Sequence, residues 1–337
     1  MGKINTLTPK EIERAVLHII EIQRYYSLYY FSSKNCSYNL LWFIELAKED
    51  LKLVDRFNYI TAPMDTIKEL KKEGLIEKSI FRPSKSTQAK AIYTEITHKK
   101  VAMEFLATSD ISIIKKLNRE EQIDIINLYL KSRSSQEILK YRSKLGVGKK
   151  IEIKTTDPIK ANRASKVNMG LSKGEPIYGA RASYHDIYDI DYDFNEGSYI
   201  SFFNLQMRDN QLESLGLIKI DSLTPQQKLY KPYSWGVDFK LQRDKGVILT
   251  GKIGKSYKIF DTLLFVEPTL SLEYKESLDL TVGYYAGLSK QINRVKAGLL
   301  FEQNSIESFL TYQIVEDIAL HLNISKDSNR FELFYYF

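Results

Sequence analysis

Arg330-Phe331-Glu332-Leu333-Phe334-Tyr335-Tyr336-Phe337 closes the chain, and its alternation decides the fold. In an extended strand successive side chains point to opposite faces, so Phe331, Leu333, Tyr335 and Phe337 share one side. The same period of two recurs upstream. Tyr233, Trp235, Val237, Phe239 and Leu241 alternate with Ser234, Gly236, Asp238, Lys240 and Gln242. Leu278, Leu280, Val282, Tyr284, Ala286 and Leu288 repeat the pattern, as do Val295, Ala297, Leu299 and Phe301, then Ile318, Leu320, Leu322 and Ile324. Turn-forming stretches separate them: Arg208-Asp209-Asn210, Arg243-Asp244-Lys245-Gly246 and Lys326-Asp327-Ser328-Asn329. From Ser165 to Phe337 this predicts about twelve strands, most of about 8–12 residues, close to the span of a tilted membrane-crossing strand.

A meander with one apolar face and a face of Gly, Ser, Asn, Lys and Asp meets the demand of a membrane, where closure satisfies every backbone group. A soluble β-sandwich shows the same alternation. Two features favour the barrel. The terminal strand with its final aromatic resembles the closing strand of bacterial outer-membrane barrels, and many of the 23 tyrosines fall near strand ends, where aromatic girdles meet headgroups.

Before the Gly146-Val147-Gly148 break the spacing is helical instead. Thr8 as N-cap, Pro9 at the first helical position and Glu11 three residues after Thr8 form a capping box, followed by Ile12, Val16, Ile19 and Ile20 on one face. Further helices are predicted from near Cys36, from Pro63 to Lys72 with a stop at Gly74, and over 84–106 and 119–144. Residues 75–82 read as a short extended piece. The fold class is therefore α+β, with helices over 1–150 and an antiparallel transmembrane-type β-barrel over 151–337.

Charge follows the same division. Residues 1–150 carry 27 basic against 18 acidic side chains, +9, and the remainder 22 against 24, −2. No Arg-rich tract or nucleic-acid module accompanies the basic half, so nucleic acid is not an expected partner, and a solvated helical surface explains the charge. No stretch approaches the ~20 apolar residues of a membrane helix, and Met1–Pro9 lacks the apolar core of a signal peptide. Taken alone those features suggest the cytosol, an expectation that the terminal strand contradicts.

Cys36 is the single cysteine, which excludes an intramolecular disulfide and a cysteine metal cluster. It follows Tyr29-Tyr30-Phe31 and opens the helix that Asn35 caps, with Leu40, Leu41, Ile44 and Leu46 as the expected apolar face. A thiol on the first turn meets unpaired N–H groups and the positive end of the dipole, which favour thiolate. The alternative is a small buried hydrophobe. Farther on, Tyr184-His185-Asp186 precedes Asp189, Asp191 and Asp193. Adjacent strand residues face opposite ways, so an acidic loop is expected rather than a joint metal site, with calcium the weaker alternative. No cofactor and no metal are called for.

Taken together, Leu7-Thr8-Pro9-Lys10-Glu11-Ile12, Tyr29-Tyr30-Phe31 leading to Asn35-Cys36-Ser37-Tyr38-Asn39-Leu40-Leu41, Phe81-Arg82-Pro83-Ser84, Tyr184-His185-Asp186-Ile187 and Pro232-Tyr233-Ser234-Trp235 resemble the Lnb-type periplasmic domain family, named for lipoprotein N-acylation, in its form with a C-terminal outer-membrane barrel. The resemblance implies a bacterial outer-membrane protein with a periplasmic N-terminal region. It implies Cys36 as the nucleophile of an acyltransferase or hydrolase acting on phospholipid or lipoprotein, with Asn35 and Ser37 as oxyanion or positioning residues. In the family the cysteine pairs with a histidine in an upstream Gly-His element. None of His18, His98, His185 and His321 matches that element, so the chain is expected to be a fragment. The competing expectations are a non-catalytic outer-membrane barrel with a helical plug or docking module, and a soluble periplasmic α+β protein.

Overall fold

The computed structural model describes residues 2–3, 7–76, 78–80, 82–153, 158–191, 197–303, 305–326 and 328–337. Phe81, Asp193 and Asp327, used in the sequence reading, lie outside them. Among the described residues the helices are α1 (Pro9–Ile22), α2 (Cys36–Ala47), α3 (Pro63–Lys72), α4 (Lys85–Glu95), α5 (Lys99–Thr108), α6 (Arg119–Ser132) and α7 (Gln136–Lys144). A two-residue strand β1 (Gly2–Lys3) pairs with β2 (Lys78–Ser79), the strand found among the described residues of the extended piece expected over 75–82.

The chain divides into two compact units. One comprises residues 80–155 with 228–230 and contains α4–α7 around a core that includes Ile96, Phe105, Ile114, Ile125 and Ile126. Here two predicted long helices each break in two. The backbone turns extended at Ile96, and the His98 N–H is drawn off to Glu121 Oε1 at 2.6 Å. Between α6 and α7 Arg133 is extended, and Ser135 starts a new helix by accepting from the Ile138 N–H. Side-chain caps of this kind compete with continued helix.

The other unit comprises residues 2–79 with 156–227 and 231–337. Its helices enclose Leu41, Ile44, Leu53, Phe57, Leu70 and Leu75. Leu40 is exposed and Ala47 buried, so the inner face of α2 is Leu41, Ile44 and Ala47 rather than the face expected. Gly74, at φ +70°, ends the turn after α3 in a conformation that disfavours a Cβ.

The barrel closes from twelve antiparallel strands: β3 (Lys166–Ser172), β4 (Glu175–His185), β5 (Ser198–Arg208), β6 (Gln211–Ser222), β7 (Ser234–Gln242), β8 (Gly246–Ile259), β9 (Thr262–Tyr274), β10 (Leu278–Ile292), β11 (Val295–Glu302), β12 (Ser305–Val315), β13 (Ile318–Ser325) and β14 (Asn329–Tyr336). Closure comes from β14 on β3, with Tyr336 opposite Lys166 and Arg330 opposite Ser172. A closed sheet has no edges, which removes the sandwich alternative. Phe331, Leu333, Tyr335 and Phe337 are exposed on the outer wall, as are Leu278, Leu280, Val282 and Tyr284 of β10. Trp235, Tyr257, Tyr312 and Tyr335 ring the end where the chain enters and leaves, and Tyr178, Tyr274 and Phe331 lie toward the other. Such an apolar wall between two aromatic rings is the surface a bilayer requires.

At the far end the strands are joined by two or three residues. The entry end carries the longer connections 186–197 and 223–233. Residues 186–191 are buried or half-buried and their aspartates meet lumen-facing cations: Lys166 Nζ lies 3.1 Å from both Asp186 and Asp189, and Lys296 Nζ lies 2.7 Å from Asp191. Arg181 also pairs with Asp186 and Asp189, and Tyr336 donates to Asp189 at 2.8 Å. Since β4 stops at His185, Asp186 escapes the alternation assumed from sequence and turns inward like its neighbour. Beside this network Leu263, Phe265, Tyr285, Leu300 and Phe309 pack together with Ile187 and Leu223.

Candidate functional site

Asn35 organises the segment around Cys36. Its Oδ1 accepts from the N–H groups of Ser37 and Tyr38, at 3.0 and 3.2 Å, which caps α2. Its Nδ2 donates to the carbonyls of Phe31, at 3.1 Å, and Thr61, at 2.7 Å. The amide is thus fully committed, without a donor to spare. The Ser37 N–H is likewise occupied by the cap. Cys36 itself is exposed on the first helical turn, at the positive end of the dipole.

Its aromatic lead-in reaches the barrel wall. Phe31 meets Phe202 of β5 edge-on at 5.5 Å, and Phe202 meets Tyr184 of β4 at 6.1 Å. Tyr25, Tyr26, Leu28, Tyr29 and Tyr30 are all exposed, an apolar surface beside the aromatic ring of the entry end.

Each histidine is engaged elsewhere. His18 packs edge-on against Trp42 at 5.0 Å, and its Nδ1 lies 3.2 Å from Glu21. Trp42 is six residues beyond Cys36, about 9 Å along the helix axis. His98 pairs with Glu121, His185 with Asp191 and His321 with Thr311. Among the described residues no histidine is hydrogen-bonded to Cys36.

The helical segment is fastened to the barrel through α3. Asp65 accepts from the Ala164 N–H at 3.1 Å, while Glu69 binds both Arg56 and Arg163. Burial pushes the Asp65 carboxyl above its ordinary value. Burial pushes Glu69 the same way, but hydrogen bonds from Arg163 and Arg56 prevail and hold it below. Thr61 and Asp65, contacts that sequence reasoning missed, lie 26 and 30 residues beyond Asn35; their only signal was the Pro63 helix start that orders this loop.

Residues 155–327 match the family described as Domain of unknown function (DUF7840), and residues 5–73 match the Lnb N-terminal periplasmic domain. Among solved structures the chain is similar to the NanC porin in a rhombohedral crystal form, with a TM-score of 0.35 and 13% identity, covering 52% of this chain and 99% of that one. It is similar also to the Acinetobacter baumannii outer membrane protein Omp33, with a TM-score of 0.32 and 12% identity over 52% and 99% of the two chains. No curated protein matches it in sequence.

Proposed function

From a chain that belongs to the DUF7840 family and is an outer-membrane β-barrel with a periplasmic Lnb-type N-terminal region, we propose a membrane-anchored thiol acyltransferase or hydrolase acting on phospholipid or lipoprotein esters. The observation that carries this reading is the placement of Cys36: exposed, on the first turn of a capped helix, and led in by an aromatic run whose Phe31 packs on Phe202 of the barrel wall. A lipid ester carbonyl lies at that depth of a membrane, just below the headgroups.

The Cys36 thiolate attacks the ester carbonyl, the acyl–oxygen bond breaks, and the released alcohol takes up a proton. An amine or water then attacks the thioester, which returns the thiol and yields an amide or a fatty acid. The Cys36 N–H is the first-turn donor nearest the developing oxyanion, because the cap holds those of Ser37 and Tyr38. Asn35 and Ser37 are positioning residues in this scheme.

Incubating the full chain with phosphatidylethanolamine vesicles, followed by intact-mass measurement, tests the reading. An acyl adduct that hydroxylamine removes and Cys36→Ser abolishes is expected; a thiol that stays unmodified sinks the reading. A second reading has its own support, since each of the four histidines is paired with another side chain. In it the helices are a docking module on a non-catalytic barrel, and the unmodified thiol is the result that favours it.

A further inference from the structure

A cleft of about 360 Å³ opens at the entry end, between α3, the linker ahead of β3 and the turn joining β12 to β13. Lys68, Lys71 and Lys72 line it from one face of α3, joined by Lys160 and Arg163, and Glu316 and Asp317 of the turn stand among them. The carboxylates behind the cleft are already engaged: Glu69 by Arg56 and Arg163, Asp65 by the Ala164 N–H with Lys68 4.0 Å away. Those bonds commit Arg163 and Lys68, the latter also to the Ala161 carbonyl, so the wall presents Lys72 and Lys160 beside the anions Glu316 and Asp317. The turn is held in place, since Asp317 O accepts from Tyr336 N at 2.8 Å and Glu316 O from Gln313 Nε2 at 2.9 Å. On the adjacent outer wall lie Tyr312, Tyr335 and Phe337, the aromatics that mark headgroup depth.

We propose that this cleft is a binding site for the phosphoethanolamine headgroup of a phospholipid in the periplasmic-side leaflet. The phosphate lies against the lysines, and the ammonium donates to Glu316 and Asp317. An anionic headgroup without an amine satisfies only the lysines. A trimethylated amine offers the carboxylates no N–H, so the charge pattern selects a primary ammonium. The site uses none of the thiol chemistry and holds or fails independently of it.

Native mass spectrometry of the full chain, released from detergent with equal amounts of phosphatidylethanolamine, phosphatidylcholine and phosphatidylglycerol, reads the retained lipid directly. Preferential retention of phosphatidylethanolamine is expected. Lys72→Gln with Lys160→Gln lowers it by roughly thirtyfold, at about fivefold per lysine near a lipid surface, and the Arg pair at the same positions restores it. Glu316→Gln with Asp317→Asn erases the preference over phosphatidylglycerol while keeping lipid bound. Equal retention of the three lipids, or retention unchanged in the Gln pair, overturns the proposal. So does displacement by soluble glycerophosphoethanolamine at the concentration of lipid, which assigns the cleft to a free headgroup.

Discussion

Asn35 Nδ2 donates a 2.7 Å hydrogen bond to the Thr61 carbonyl, 26 residues away, while the oxygen of the same side chain caps the helix that begins with Cys36. One buried amide thus ties the thiol-bearing turn to the loop ahead of α3. Loss of an N-cap costs about 1 kcal/mol, and stranding the buried Thr61 carbonyl adds about 1–3 kcal/mol. Asn35→Ala is therefore expected to loosen residues 31–62 and to lower the urea midpoint of helix loss, followed by far-UV circular dichroism. Asn35→Asp keeps the cap but loses the two donated bonds and sets a buried carboxylate oxygen against the Phe31 and Thr61 carbonyls, so it is expected to destabilise as well. If Asn35→Ala unfolds with the wild-type midpoint, the amide is not the tie described.

The fastening of α3 responds to acid with two opposite signs. Glu69 is held below its ordinary 4.5, so its ion pairs contribute stability that is present above 4.5 and is lost as the pH falls through the depressed folded value. Asp65 is raised above its ordinary 3.8 by burial; the stability linked to it is full below 3.8 and is lost as the pH rises through the raised folded value. On acidification a gain from Asp65 precedes the loss from Glu69. Glu69→Gln is expected to remove the falling acid limb, and Asp65→Asn the rise, in urea midpoints measured from pH 3 to 8. Two variants with the wild-type profile would refute the assignment.

The outer wall of the barrel was legible because its partner is uniform: every outward residue of the membrane span meets lipid, so the period of two survives in β7, β10, β11, β13 and β14. The lumen was not legible. Its expected polar face also holds Phe265, Leu300, Phe309 and Phe334, which fill the interior against Tyr188 and Ile187, residues of a loop folded back from the entry end. Where both faces of a strand carry aromatics, as at Phe334-Tyr335-Tyr336, alternation names two faces without saying which is inside. A left-handed residue at Phe203, φ +49°, adds to this, because Asn204 and Gln206 turn into the lumen out of step with Tyr199 and Ser201. At the site, the Asn35 cap was local and readable; its bond to Thr61 was not, since nothing in a short window links the two.

The loop 186–191 depends on charges that have no water to fall back on. Asp189 is fully buried and meets Lys166, Arg181 and the Tyr336 hydroxyl. Removing one partner of such a set leaves an uncompensated charge and costs about 3–5 kcal/mol, whereas apolar replacement of a whole pair is often close to neutral. Arg181→Ala should lower the temperature at which the barrel loses its heat-modifiable gel mobility, and Arg181→Met with Asp189→Leu should recover most of it. An unchanged temperature for Arg181→Ala would mean that the network does not hold the fold.

The filled lumen predicts silence in a planar bilayer. With the ion-paired loop and the Leu263, Phe265 and Phe309 cluster packed inside the wall, the described residues obstruct the lumen toward the entry end, and the intact chain is expected to insert without unitary conductance steps. Shortening 186–191 to a Gly-Ser link removes Asp186, Ile187, Tyr188, Asp189 and Asp191 together and is expected to produce steps. Conductance from the intact protein would show that the loop leaves the lumen.

Val266 separates a wall that faces lipid from one that faces water. It is 52% exposed on β9, opposite Ala286 near the middle of β10, and among the described residues no strand of the barrel covers its outer side. An arginine near the middle of a bilayer costs about 2–4 kcal/mol, whereas a solvent-facing substitution changes stability by about ±0.5 kcal/mol. Val266→Arg is therefore expected to reduce folding yield and urea resistance in phosphatidylcholine vesicles. Ile259→Arg, at the entry-end rim of β8 and 49% exposed, should cost about 0–1 kcal/mol, because the guanidinium reaches headgroups there. Equal effects at the two positions would contradict a membrane-spanning wall, since a depth dependence arises only if the slab between the aromatic rings excludes water.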